Sequence, residues 1–272
     1  MKLFRRLFAE KILQFHEGTN KVFRMLMNIP VIKDRLNKDI FDKEQSRLRT
    51  ALGILGQIFV MLFEFIRKFV YVVVFMYIPY RLISHICPLV ASHQELTMIS
   101  MFVIISIISG SIANNTLLAV GDRDYLMIRV MLISPYMNFL GKLIYKIVTD
   151  FIYFTIVLCI FKVSIYHSIM IGIVTACARP IGEVLVIFCF DHVKSLYERR
   201  NTYNGMIMAA SVLLAYGLPI LTRKVAAGWM VVVHPAFVLF TILLGAGAMY
   251  YLWSYKHYRR IIREAMHMKR ED

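Results

Sequence analysis

Apolar residues fall in long, nearly unbroken runs separated by short charged stretches, a rhythm that suits repeated bilayer crossings rather than one soluble core. A helix rising about 1.5 Å per residue needs ~20 apolar residues to cross the hydrocarbon layer. Six runs suit that length: 69–90, 97–119, 147–161 (extending back to about residue 140), 168–190, 205–221 and 229–253. The pattern predicts an all-α, polytopic membrane protein with a six-helix domain over 69–253. An arm over 1–68 precedes it and a basic tail over 254–272 follows. The connections are short, no Pro/Gly/Ser-rich linker divides the chain, and no internal repeat is visible.

Two segments ahead of the first run are amphipathic. In 51–66, Leu52, Leu55, Phe59, Leu62, Phe63 and Ile66 share one side of a helix. Gly53, Gln57, Glu64 and Lys68 occupy much of the other. This reads as a helix lying along the inner membrane surface. The alternative, an extra crossing, inverts every later loop. Farther upstream, Leu3, Phe4, Leu7, Phe8 and Ile12 alternate with Lys2, Arg5, Arg6 and Lys11. Such a basic amphipathic helix fits an anionic leaflet or a face of another subunit. No short apolar core followed by small residues marks a cleavable leader, so insertion is expected to rely on the internal spans.

Composition agrees with the pattern. Hydrophobic residues make up 59% and charged residues 18%, against ~45–50% and ~25% in soluble chains, which argues against a soluble enzyme. The chain carries 32 Lys+Arg against 17 Asp+Glu, a net charge of +15. Position explains the excess. With both termini in the cytoplasm, the inner segments hold 27 of the basic residues and the outer loops 3. That asymmetry is the positive-inside pattern, and it accounts for the charge without nucleic acid. The expected location is the cell membrane.

No phosphate-binding loop, hydrolase elbow, zinc-protease or kinase motif is present, and the histidines lack metal-ligand spacing. Cys87, Cys159, Cys177 and Cys189 form no CxxC pair. Neither a metal nor a cofactor is expected on this chain. The informative intramembrane phrase is Cys177-Ala178-Arg179-Pro180-Ile181-Gly182-Glu183. An isolated charge there costs ~2.5–3.5 kcal/mol or more. Arg179 and Glu183 lie four apart, so a helix brings them onto one face as a polar pair. It serves either as a hinge at a subunit interface or along a pathway, or as an internal pair that fixes helix packing. Asp150 is expected to pair with Lys146 near the inner surface.

A second segment, 121–136, opens on Asp122 and Asp124. It continues with Leu126, Arg129, Val130 and Ile133 at helical spacing, and ends on Ser134-Pro135. This predicts a short amphipathic helix on the cytoplasmic face, either docking a soluble partner or resting on the membrane.

Six spans, an amphipathic helix before the first, and the phrase Asp122, Asp124, Leu126, Ser134, Pro135, Gly141, Lys142 leading into the third resemble permease subunits of ATP-binding-cassette (ABC) exporters of the second type. Ala215-Tyr216-Gly217-Leu218-Pro219 in the fifth run and the Arg179…Glu183 phrase are similar to those of Gram-positive members. The likeness covers roughly 50–255. It implies a separate ATPase subunit that binds ATP and Mg, and a second permease unit, either another copy or a sister chain. It assigns 122–134 as the coupling helix, with Asp122, Asp124, Leu126, Arg129, Ile133 and Pro135 at the ATPase contact, and 51–68 as the connecting helix. The short connection 222–228 departs from members that handle polysaccharide. The rival reading is an ATP-independent membrane-embedded enzyme or an immunity-type binding protein. An enzyme requires convergent His, Asp or Ser groups near one leaflet, and the spans offer mainly Arg179, Glu183 and Asp150.

Overall fold

The computed structural model describes residues 47–117, 134–193, 199–222 and 227–261, together with Asp124, Ile128, Arg263 and Glu264. The arm over 1–46 and the expected contact residues Asp122, Leu126, Arg129 and Ile133 lie outside the described residues. The chain divides into two units, 1–67 and 68–272. Helix α1 (Arg47–Val72) accounts for the described part of the first unit and leads into the second. The sequence placed a boundary at Lys68. Helix α1 runs on to Val72 and, after a π-helical turn over Val73–Tyr77, continues as α2 (Ile78–Ile86).

The second unit is helical throughout its described residues. After the short α3 (Pro88–Ser92) come α4 (Gln94–Ala113), α5 (Pro135–Ile160), α6 (Ile165–His192), α7 (Arg200–Thr222) and α8 (Pro235–Ser254). By length and composition α4, α5, α6 and α8 can each cross a membrane. They coincide with four of the six apolar runs. The run at 205–221 falls in α7, and the run at 69–90 covers the end of α1 together with α2.

The helix starts are written locally. Ser134 accepts the Met137 N–H at 3.4 Å and Pro135 follows as the first residue of α5. Ser164 caps α6 through the His167 N–H, and His234-Pro235 opens α8 in the same manner. A side-chain acceptor satisfies an orphan donor, and proline is preset for the first turn. Thus Pro135, expected to close the preceding segment, opens the next helix. That places the start of α5 before the sequence-based boundary near residue 140.

Helix α4 is the most enclosed: Met98, Ile99, Met101 and Phe102 are fully buried. Helix α6 packs on α5, α8 and the end of α4. Glycines permit these approaches. A Cβ on Gly172 would sit 2.4 Å from the Thr155 hydroxyl oxygen, and one on Gly182 would sit 2.1 Å from the Ser111 carbonyl oxygen. Gly245 faces Cys177 less tightly, with a Cβ there 3.0 Å from the Cys177 Cβ. Elsewhere many large apolar side chains point outward. Leu239, Phe240 and Leu243 on α8, and Leu213 on α7, are more than half exposed. Water does not tolerate so large an apolar surface on a monomer, whereas a lipid environment covers it. The protein is compatible with embedding in a membrane.

Candidate functional site

Where α4 ends, charged groups from α5 and α6 and Lys68 of α1 converge. Lys68 Nζ lies 2.7 Å from Asp150 Oδ1, and Arg179 Nε donates to Asp150 Oδ2 at 2.6 Å. Arg179 Nη1 donates to the Gly110 carbonyl at 2.7 Å. The Lys68 ammonium also stands over the Tyr153 ring, 4.8 Å from its centre. Each carboxylate oxygen of Asp150 therefore meets a cation. That arrangement offsets the cost of burying three charges together.

One turn beyond Arg179, Glu183 reaches the chain that leaves α4. Its Oε1 accepts the Thr116 N–H and its Oε2 accepts the Leu117 N–H at 3.1 Å. Lys146 holds the same stretch from the other side. It donates to the Asn114 carbonyl, and lies 3.3 Å from both Asn114 Oδ1 and Thr116 Oγ1. An acid on orphan N–H groups and a base on the carbonyls of a helix C-terminus are the favourable polarity for both. The exit from α4 is thereby clamped to α5 and α6.

Two expectations are corrected. Arg179 and Glu183 share a face of α6 and are both buried, but they do not bond to each other; Arg179 takes Asp150, and Glu183 takes the backbone of Thr116 and Leu117. Asp150 is not a surface partner of Lys146. It is buried at 3% exposure, and Lys146 points toward Asn114 and Thr116 instead. Spacing of four permits a contact along one helix. A neighbouring helix that offers a closer partner wins here.

Of the expected contact residues, Asp124 and Pro135 are described. Asp124 is buried and turned toward α5, where Asn138 Nδ2 donates to its Oδ1 at 2.7 Å and Lys142 pairs with the same oxygen. Its carboxylate is engaged within the chain rather than presented to a partner. Pro135 is half-buried at the start of α5. Among the described residues, no group of three His, Cys, Asp or Glu is arranged to hold a metal.

Sequence reasoning missed several residues. Lys68 was assigned to the polar side of a surface helix, yet it belongs to the buried cluster. Gly182, which lets α6 touch the Ser111 carbonyl, carries no pattern that distinguishes it from any other glycine. The tail was read only for its charge. Tyr258 and Ile261 are in fact buried with Leu117, Phe139, Leu143, Ile187, Phe190 and Leu252. The Tyr258 hydroxyl donates to the Leu252 carbonyl, and Tyr255 donates to Asp191 at 3.1 Å. Burial pushes the Tyr258 phenol up from its ordinary range, and at Tyr255 burial and then the Asp191 carboxylate do the same. Both stay protonated donors. The missed signal was the spacing of three between Tyr258 and Ile261 amid basic residues.

Comparison with family models, with curated proteins and with solved structures finds no match to this chain.

Proposed function

We propose that the chain is the membrane-spanning permease subunit of an ABC exporter. It has six spans, with 69–90 and 205–221 crossing alongside α4, α5, α6 and α8. Both termini lie in the cytoplasm of a plasma-membrane protein. Two such units, identical or sister chains, form one pathway, and ATP hydrolysis takes place on a separate ATPase subunit. The reading rests on the likeness of the Asp122…Lys142 phrase to the coupling segment of these permeases.

One observation carries it furthest: the stretch that enters the segment 118–134, and Asp124 within it, are tied to the helices the segment would have to move. Glu183 and Lys146 grip its entry at Asn114–Leu117, and Asn138 and Lys142 grip Asp124. A displacement of this segment by a docked ATPase would pass into α5 and α6 as rigid bodies, because packed helices transmit shifts rather than absorb them. Asp124 has the role of fixing the segment, which leaves Asp122, Leu126, Arg129, Ile133 and Pro135 for the contact.

The test is co-purification. Leu126→Asp with Ile133→Asp is expected to abolish recovery of the ATPase with the permease while membrane insertion stays intact. Undiminished recovery would contradict the docking assignment.

A further inference from the structure

The start of the tail, beyond α8, bears a patch that the permease reading does not use. On the last turns of α8, Tyr250 and Trp253 are 77% and 69% exposed. The chain then bends. Tyr255 holds Asp191, while Tyr258 and Ile261 are buried against Phe139, Leu143 and Ile187. These anchors fix the register between them, so Lys256, Arg259, Arg260 and Arg263 all face outward. Among the described residues, the acids that contact this stretch are Asp191, engaged by Tyr255, and Glu264, 3.3 Å from Arg260. Arg260 also spreads over the Phe190 ring, 5.7 Å from its centre. Among the described residues, cations outnumber acids on this face.

Exposed Tyr and Trp at the end of a membrane-crossing helix settle at the depth of the lipid headgroups. Cations held just beyond them meet the phosphate layer, where an anionic leaflet attracts them. We propose that this face of the tail binds the headgroups of anionic phospholipids, with Tyr250 and Trp253 seated among the acyl ends of the headgroup layer and Lys256, Arg259, Arg260 and Arg263 on the phosphates. The inference needs only that α8 lies in a membrane, and so it stands apart from the permease reading. Its ligand is the lipid surface and not a free phosphate, because the aromatic pair contributes apolar area that a soluble anion cannot use.

Trp253 is one of two tryptophans, which makes the site its own reporter. The full chain carrying Trp229→Phe is placed in equimolar vesicles of phosphatidylglycerol and phosphatidylcholine, with brominated acyl chains on one lipid or the other. Quenching of Trp253 is expected to show a preference for phosphatidylglycerol of about fivefold, the factor that one cation gives at an anionic surface. That preference is expected to vanish in Lys256→Gln/Arg259→Gln/Arg260→Gln/Arg263→Gln. With the tail unaltered, it is also expected to fall toward unity at ~0.5 M salt, as screening of exposed charge requires. Equal quenching by both lipids, or a preference that survives the fourfold substitution or high salt, would overturn the proposal. The salt titration needs no substitution in the tail.

Discussion

Asp150 on α5 and Arg179 on α6 meet in a 2.6 Å ion pair, although 29 residues separate them in the chain. Both side chains are about 5% exposed or less. Lys68 completes the arrangement on the other carboxylate oxygen. A charge buried with its partners is tolerable, and a charge left behind is not.

Asp150→Asn is therefore expected to lower stability by about 3–5 kcal/mol, because it leaves two cations without their acid. Arg179→Met is expected to be costly in the same manner. The double variant should cost less than the sum of the two. Thermal melting of the purified protein in detergent measures all three. Strict additivity would show that the two side chains act independently.

Glu183→Ala is expected to destabilise far more than Glu95→Ala. Loss of Glu183 leaves the half-buried Thr116 and the buried Leu117 N–H groups without this acceptor, at about 1–3 kcal/mol for the buried one. Glu95 accepts from the Ser164 N–H and from His167, but at a partly exposed position where water can replace it. Equal melting temperatures for the two variants would remove the clamp on the exit from α4.

Gly182→Ala is expected to cost about 1–3 kcal/mol or more, because the new methyl meets the Ser111 carbonyl oxygen at 2.1 Å and backbone must yield. Gly247→Ala on α8, with nothing within 4 Å, is the control and should be neutral or slightly stabilising. Melting in detergent separates them, and parallel behaviour would mean that α4 and α6 do not approach as closely as described.

The sequence displayed the four helices long and apolar enough to cross a membrane because their signal is local. Runs of about twenty apolar residues need no partner to be recognised. The importance of Arg179, Glu183 and Asp150 was equally visible, since a charge within such a run demands compensation. Their pairing was not, because Arg179 is equally able to reach Glu183 along its own helix and Asp150 across to α5. Only the packing of α5 on α6 decides between them, and that packing depends in part on Gly172. Asp124 shows the same limit. Its spacing within an amphipathic segment suggested an outward contact, and the deciding partners, Asn138 and Lys142, lie on the next helix.

The central claim is that the basic segments, including 120–134, share the cytoplasmic side of the membrane. The most direct measurement is labelling of single cysteines in a chain whose native Cys87, Cys159, Cys177 and Cys189 are replaced. His93→Cys, between α3 and α4, and Asp122→Cys are exposed in intact cells to a membrane-impermeant maleimide. The account predicts modification at position 93 in intact cells, and at position 122 only after permeabilisation. Modification at position 122 from outside intact cells would contradict it.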